Sequence, residues 1–208
     1  MIETFDTLNA QLDSLPRKRS TFLLGIDGLG GSGKSVFAQA LKRNRADVTV
    51  VQMDDFFLPS SQRPLNDPYT KPIGGDFDWQ RIYEQVLVPL SQNKEGRYQR
   101  YDWGSDTLAE EHTVVPGGMV IVEGVYSTRN ELASIYDFKV WVECPRDVRL
   151  ARGLARDGEE AREVWENDWM VAEDRYVEAH RSHRRADLVI DSSGKLDYDP
   201  AHQFVYFM

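Results

Sequence analysis

Residues 28–35 read Gly-Leu-Gly-Gly-Ser-Gly-Lys-Ser, and this stretch decides the fold. It matches without mismatch the eight-residue pattern of a phosphate-binding loop, in which Gly-Lys-Ser or Gly-Lys-Thr closes the loop. The apolar run 21–27 (TFLLGID) precedes it, and residues 36–41 follow with apolar side chains at helical spacing. We therefore predict a buried strand, a phosphate loop and a helix in direct succession.

The residue types of this loop suit a nucleoside triphosphate with magnesium. Glycines let backbone N–H groups approach phosphate oxygens, and the helix that follows adds partial positive charge at its N-terminus. Lys34 is expected to contact the β and γ phosphates, and the Ser35 hydroxyl is expected to coordinate Mg²⁺. The predicted ATP-binding residues are Gly28, Gly30, Gly31, Ser32, Gly33, Lys34 and Ser35.

Apolar runs that suit buried strands alternate with helical spacings along the chain. The predicted strands are 21–27, 48–53, 119–123, 138–143 and 188–191, and the predicted helices include 4–15, 78–90, 146–156 and a segment near 165–179. A proline- and glycine-rich loop is predicted at 56–76. Strands that alternate with helices imply a parallel sheet covered on both faces. We predict a single α/β domain over 1–208 with the P-loop NTPase fold, a five-stranded parallel sheet, and a small lid near 152–168.

Composition excludes several classes of protein. The 208 residues include 25 Lys and Arg against 34 Asp and Glu, for a formal net charge of −9, and such a surface repels nucleic-acid backbones. No window reaches the ~18 uninterrupted apolar residues of a membrane span. The single cysteine, Cys144, excludes a disulfide framework and indicates a reducing compartment. We expect a cytoplasmic protein with a small-molecule substrate and no nucleic-acid or membrane partner, and the sequence is compatible with a homo-oligomer.

A phosphate loop specifies a nucleotide but not a reaction. A small-molecule kinase, a GTPase switch or ATP-driven motor, and a nucleotide-binding scaffold all share the motif. A GTPase switch reads guanine with Asn-Lys-x-Asp, whereas the Asn-Lys pair here continues as Glu95-Gly96. The chain also lacks a Leu-Ser-Gly-Gly transporter signature, and it is short for a motor. The kinase is therefore favoured.

Acidic residues follow two of the predicted strands. Asp54 and Asp55 come after the second strand, and Glu123 ends the third. The carboxyl ends of parallel strands form the ligand-binding edge of an open α/β sheet. A carboxylate there could accept the proton of an attacking hydroxyl or hold Mg²⁺. Asp54 is predicted in both roles, although its neighbour Asp55 leaves the choice of base open, and Glu123 is predicted near Mg²⁺.

Taken in order, several motifs resemble the uridine kinase/phosphoribulokinase family, and most closely its bacterial uridine kinase-like members. The ordered set is 28–35, 53–57 (MDDFF), 77–79 (FDW), 101–103 (YDW), 120–124 (VIVEG) and 149–157 (RLARGLARD), within a resemblance that covers about 21–191. The resemblance implies ATP-dependent phosphorylation of a hydroxyl group on a small molecule. In uridine kinases that group is the ribose 5′-hydroxyl. Nicotinamide riboside kinases and pantothenate kinases are more distant candidates, and a sugar is a further alternative acceptor.

The resemblance also assigns roles to residues of the acceptor site. The catalytic base of the family falls on Asp54, and a neighbouring aromatic position falls on Phe57. The ribose-binding aspartate falls on Asp78, and the tyrosine beside the nucleobase falls on Tyr101. Five residues later, where uridine kinases carry a base-reading histidine, this chain has Asp106. Asp106 in the pocket would accept hydrogen bonds or attract a cationic group.

Arginines near the predicted lid are candidates for contact with the transferred phosphate. Arg149, Arg152 and Arg156 are spaced i, i+3 and i+7, so they share a helix face. The resemblance places lid arginines on Arg152, Arg156 and Arg162, and it places Gly153 where the family carries a second arginine. Such a face could neutralise charge that develops on the phosphoryl group. The alternative is a solvated face paired with neighbouring acids.

Overall fold

The structure is a computed structural model, and it describes residues 1–64 and 67–207. The strands in these ranges are β1 (Ile2–Thr4), β2 (Phe22–Gly28), β3 (Val48–Gln52), β4 (Gly96–Asp102), β5 (Thr107–Val114), β6 (Met119–Glu123), β7 (Phe138–Glu143), β8 (Leu188–Asp191) and β9 (Gln203–Val205). A central parallel sheet has the order β3-β6-β2-β7-β8. Its strands begin and end within one residue of the predicted ones, so the five-stranded parallel sheet is confirmed.

Helices cover the two faces of this sheet. They are α1 (Phe5–Ser14), α2 (Lys34–Arg43), α3 (Trp79–Ile82), α4 (Val88–Ser91), α5 (Arg146–Asp157), α6 (Arg162–Val164) and α7 (Met170–His180). A π-helical turn at Tyr83–Leu87 joins α3 to α4, so the helix predicted at 78–90 is continuous. None of the helices in the described ranges is long and apolar enough to cross a membrane.

The side chains of β2 point alternately to the two faces of the central sheet, and this explains why helices cover both faces. Leu24 and Ile26 pack in one apolar cluster with Phe37 of α2, whereas Leu23 packs in a second cluster with Val86 of the α3–α4 helix. Neighbouring side chains of a strand point to opposite faces, so a fully apolar strand must be buried on both sides. The predicted layering of helix, sheet and helix is confirmed.

Two small antiparallel pairs lie outside the central sheet. β4 and β5 form one antiparallel hairpin. β1 pairs with β9, and this pairing buries Phe204 against Phe5, with ring centroids 5.3 Å apart. The apolar C-terminal stretch 202–208 therefore packs on its own chain as far as residue 207, and Met208 lies outside the described residues. Residues 65–66 of the predicted loop 56–76 also lie outside them.

The helical segments after β7 differ in detail from the predicted lid at 152–168. Residues 152–157 continue α5, which ends at Asp157 where Gly158 has a φ of 92°. Short helical turns then lead through Trp165 into α7. We use "lid" below for residues 158–169, which bridge α5 and α7.

Candidate active site

A cavity of about 620 Å³ lies at the carboxyl edge of the sheet, between the phosphate loop and the lid. The phosphate loop runs from the end of β2 into α2, a 3₁₀ turn at Met53–Phe56 follows β3, and Glu123 ends β6. The cavity thus collects residues from three strand ends. The predicted site residues that line it are Gly30, Gly31, Gly33, Lys34, Ser35, Asp54, Phe57, Glu123, Arg152 and Arg156.

The phosphate loop has polar groups that an anion would satisfy. The Lys34 ammonium donates to the carbonyl oxygen of Leu29 at 2.9 Å. Because this acceptor is neutral, the contact does not neutralise the positive charge of Lys34. Ser32 is fully buried, and its hydroxyl has no hydrogen-bond partner among the residues that the structure describes. Gly31 is required sterically, because it has a φ of 74° and a Cβ there would lie 2.5 Å from the Arg149 carbonyl oxygen. These features fit the phosphate chain of a nucleotide.

Gly28 and Ser32 stand behind the cavity rather than in its lining. A Cβ on Gly28 would lie 2.6 Å from the Val142 carbonyl oxygen, so glycine here allows β2 to end beside β7. The predicted contacts of Gly28 and Ser32 with ATP stay predictions.

The structure separates the two adjacent aspartates. Asp54 lines the cavity, whereas the Asp55 carboxylate accepts a hydrogen bond from the Tyr98 hydroxyl at 2.8 Å on the hairpin side. Removal from bulk water raises the pKa of Asp54, and the charges of Lys34 and Arg156 oppose that rise. Burial raises the pKa of Asp55 as well, so the pKa does not separate the two carboxylates. Their positions do, because Asp54 lines the cavity and Asp55 faces Tyr98, and the geometry therefore favours Asp54 over Asp55 as a base.

Ser35, Asp54 and Glu123 present oxygen atoms to the same cavity. Burial raises the pKa of Glu123, while Lys34 and the Ser35 hydroxyl lower it. Within the described ranges no three His, Cys, Asp or Glu side chains form a ready metal cluster. Mg²⁺ is commonly held by one or two carboxylates, water and the substrate's phosphates, so this oxygen set fits magnesium that arrives with a nucleotide.

The three arginines that were predicted to share one face of α5 have different partners. Arg149 is buried and makes a 2.8 Å ion pair with Glu173 of α7. Arg152 lines the cavity and donates to the Ser192 carbonyl at 2.9 Å. Arg156 lines it too, where its guanidinium pairs with Asp157 at 2.7 Å and its charge also acts on Asp54. The three arginines therefore do not act together: Arg149 forms a buried ion pair, whereas Arg152 and Arg156 line the cavity.

Arg162 is placed differently from the other predicted lid arginines. Its guanidinium pairs with Glu159 at 2.5 Å and with Glu166 at 3.1 Å, on the exposed side of the lid. The structure does not bring it to the cavity, and its contact with substrate stays a prediction.

Aromatic side chains form one end of the cavity. Phe57, Phe77, Trp103 and Tyr126 line it, with the rings of Phe57 and Trp103 stacked at 4.5 Å. Tyr101 packs behind them, 5.4 Å from Phe57, and is buried. Tyr101 therefore supports the wall without lining it, and its predicted place beside a nucleobase stays a prediction.

Asp78 and Asp106 lie outside the cavity lining. Asp78 caps α3, where its carboxylate accepts a hydrogen bond from the Arg81 amide at 2.9 Å. Asp106 accepts hydrogen bonds from the Tyr101 hydroxyl at 2.6 Å and from the Ser60 amide at 3.0 Å. Both carboxylates are thus engaged with their own chain, and the predicted substrate contacts of both remain predictions.

Sequence patterns did not single out Glu173, Lys71 or Asp76, which also line the cavity. Glu173 accepts a hydrogen bond from the Gly30 amide at 2.7 Å, and Lys71 pairs with Asp76 at 2.7 Å. None of the three belongs to a local motif. The proline- and glycine-rich composition of the loop around Lys71 was the one available signal.

A second cavity of about 270 Å³ adjoins the first on the other side of the phosphate loop. The two share Gly33, Val36 and Arg152. Tyr198 and Gln203, from the segment after β8, line the second cavity. A nucleotide whose phosphates occupy the loop could extend its base into this space.

Several known proteins are similar to this chain in sequence or in fold. A uridine kinase from Staphylococcus epidermidis is 26% identical over 189 residues, which cover 84% of this chain and 89% of that protein. A uridine kinase from Schizosaccharomyces pombe is 27% identical over 165 residues, which cover 76% of this chain but 36% of that longer protein. A solved structure described as a possible uridine kinase from Bacillus stearothermophilus has a TM-score of 0.71 at 26% identity, and it covers 89% of this chain and 96% of its own.

The sequence model of the phosphoribulokinase/uridine kinase family matches residues 23–197. That span contains the phosphate loop, Asp54, Glu123 and the arginines of α5. The protein therefore belongs to the phosphoribulokinase/uridine kinase family, with the P-loop kinase fold.

Proposed function

We propose that the protein transfers the γ-phosphoryl group of ATP to a hydroxyl group of a small molecule, and that the acceptor is the 5′-hydroxyl of a nucleoside such as uridine. The observation that carries the proposal is the single cavity that holds Lys34 and Asp54 with an aromatic acceptor end. Family membership and the uridine kinases among the relatives support it.

The nucleotide would bind through the phosphate loop. Gly30, Gly31 and Gly33 leave room for phosphate oxygens, and Lys34 supplies charge at the β and γ phosphates. We place the nucleobase of the nucleotide in the smaller cavity, beyond Arg152. Ser35 and Glu123 would hold magnesium, which leaves the Asp54 carboxylate available as the base. When bound, magnesium offsets charge on the phosphate oxygens.

Asp54 would take the proton of the acceptor hydroxyl as the new bond to phosphorus forms. Its raised pKa suits this role, and Arg156 lies where it can stabilise charge on the phosphoryl group. The lid would exclude water from the cavity, so that the acceptor hydroxyl rather than water attacks.

The aromatic end of the cavity suits the flat face of a nucleobase or the C–H face of a sugar. Phe57, Phe77 and Trp103 offer such surfaces. We also propose a cytoplasmic location, because the single cysteine, Cys144, is a buried free thiol rather than part of a disulfide.

The test is a screen of ATP consumption with nucleosides, nicotinamide riboside, pantothenate and sugars as acceptors. We expect wild type to consume ATP only slowly without an acceptor, and to consume one ATP for each nucleoside phosphorylated when a nucleoside is added. The variant Asp54→Asn is expected to lose about 10²–10⁴-fold in kcat, the usual contribution of a general base. Asp55→Asn is the matched control, since that carboxylate faces Tyr98, and it should retain most of the activity.

Each result has a distinct meaning. Turnover with another acceptor class would replace the nucleoside while keeping the kinase. ATP hydrolysis that no acceptor increases would indicate an ATPase, and binding without turnover would indicate a scaffold. If kcat falls equally in Asp54→Asn and Asp55→Asn, the assignment of Asp54 as the general base is wrong.

A further inference from the structure

Lys71 joins the acceptor end of the cavity to the lid. Its ammonium donates to Asp76 at 2.7 Å and to Asp168 at 3.0 Å. Lys71 and Asp76 belong to residues 67–77, which we call the acceptor loop, and both line the cavity. Asp168 belongs to the lid. One buried cation thus holds a carboxylate from each of two segments that flank the acceptor.

A second contact ties the same loop to the helix after the lid. Arg175 of α7 donates to the carbonyl oxygens of Pro68 at 2.7 Å and Lys71 at 2.8 Å. The other end of the loop is held beside the turn that carries Asp54. There the Leu58 amide donates to the Asp76 carbonyl and the Asp78 amide donates to the Phe56 carbonyl, both at 2.8 Å. A displacement at Lys71 is therefore constrained at both ends of the loop.

The two ion pairs of Lys71 differ in exposure. The side chain of Asp76 is 22% exposed and that of Asp168 is 41% exposed, while Lys71 itself is 8% exposed. Water screens the contact to Asp168 more strongly, so it is the weaker and more easily separated of the two. Lys71 would keep its partner in the acceptor loop while the lid detaches.

We propose that Lys71 is a positioning residue that couples acceptor binding to the lid, and this rests on the proposed kinase function. An acceptor against the wall made by Lys71 and Asp76 keeps the ammonium within reach of Asp168. The lid is thereby held over the cavity during transfer.

The coupling decides which oxygen attacks the phosphorus atom. With the lid held, the acceptor oxygen forms a bond to the γ-phosphorus, the bond from that phosphorus to the bridging oxygen of ADP breaks, and the hydroxyl proton passes to Asp54. With the lid released, water takes the place of the acceptor and ATP yields ADP and inorganic phosphate. The partition between these two outcomes therefore reports on the contact between Lys71 and Asp168.

The experiment measures inorganic phosphate released per phosphoryl group transferred, at saturating ATP and acceptor, in wild type and Asp168→Asn. We expect the ratio to rise about two- to fivefold in the variant, the range that a partly exposed ion pair supports. The KM for the acceptor should rise, while the KM for ATP stays unchanged. Lys71→Gln should show the same changes, and Lys71→Arg should restore the wild-type ratio.

Asp174→Asn is the matched control, because Asp174 makes an exposed ion pair with Arg146 away from the cavity. It should leave the partition unchanged. A purely structural role for Lys71 would lower the melting temperature of the variants and leave the ratio unmoved, and that result overturns the inference. If wild type shows no acceptor-dependent turnover, the proposed function fails first and the coupling fails with it.

Discussion

The Glu173 carboxylate accepts a hydrogen bond from the Gly30 amide, with 2.7 Å between Oε1 and N, so the helix after the lid rests directly on the phosphate loop. Its other oxygen accepts from Arg149 at 2.8 Å. Burial raises the pKa of Glu173, and the charge of Arg149 is the main opposing influence. A buried ion pair therefore fixes one peptide of the nucleotide site.

Removing one member of this pair should destabilise the protein strongly. Glu173→Leu would leave the Arg149 guanidinium buried without its carboxylate, which typically costs about 3–5 kcal/mol of unfolding free energy. Urea denaturation followed by circular dichroism would measure the loss.

The double variant Arg149→Met with Glu173→Leu provides the control. It removes both charges, so it should recover a large part of the stability lost in the single variant. The Gly30 peptide would still lack the contact with Glu173 that holds it in place, so the phosphate loop should be less well ordered and ATP binding should remain weaker than in wild type. Additive losses in the two single variants would contradict the pairing.

Gly153 is the position where the family resemblance expects an arginine, and its packing explains the glycine. A Cβ at residue 153 would lie 2.5 Å from Cε2 of Trp165, whose side chain is fully buried. The Trp165 indole N–H also donates to Asp157 at 2.9 Å, so the ring has little freedom to move.

Gly153→Ala should therefore destabilise the protein by about 1–3 kcal/mol, the usual cost of overpacking. Helix propensity alone predicts the opposite sign, because alanine stabilises an exposed helical position relative to glycine by about 1 kcal/mol. Chemical denaturation distinguishes the two by sign. An increase in stability would show that Trp165 relaxes without cost.

Local patterns account for much of what the sequence predicts correctly. The loop 28–35 is a contiguous motif, and each central strand is a run of apolar residues, so both are visible within a few positions. The parallel order of the strands then places Asp54 and Glu123 at one edge, because both follow carboxyl ends.

Contacts between distant segments account for most of what was missed. Glu173 lies 143 residues from Gly30, and Asp168 lies 97 residues from Lys71, so no local spacing links them. Asp106 illustrates a different limit of sequence patterns. Its position after Tyr101 suggests a pocket residue, but both side chains bond to each other behind the wall.

Asp106 should support the hairpin and the neighbouring loop above pH 4 and lose that role in acid. Hydrogen bonds from Ser60 and Tyr101 lower its pKa to about 2. Because the folded-state pKa lies below the ordinary value near 3.8, this contribution is complete above about pH 4 and declines as pH falls towards 2. Asp106→Asn should therefore lower the melting temperature at pH 5–8 by a constant amount.

Melting curves of both proteins at several pH values provide the check. The difference between wild type and Asp106→Asn should shrink below about pH 4, where the carboxylate of the unfolded wild-type chain begins to protonate while that of the folded protein stays ionised to about pH 2. Asn keeps the left-handed backbone at this position, where φ is 54°, so backbone strain does not enter the comparison. A difference that is independent of pH down to pH 2 would contradict the assignment.

Arg152 and Arg156 should separate nucleotide binding from transfer. Arg152 lines both cavities and is held by Ser192, so Arg152→Ala should weaken ATP binding about ten- to hundredfold, the range for losing a hydrogen bond to a charged group. Arg156 lines the larger cavity, where it pairs with Asp157 at 2.7 Å and its charge acts on Asp54, so Arg156→Ala should lower kcat while the Kd for ATP stays within a few-fold. Calorimetric titration with ATP and magnesium gives Kd, and initial rates give kcat. If both variants lose ATP affinity equally, the two arginines share one role and the division between binding and transfer is wrong.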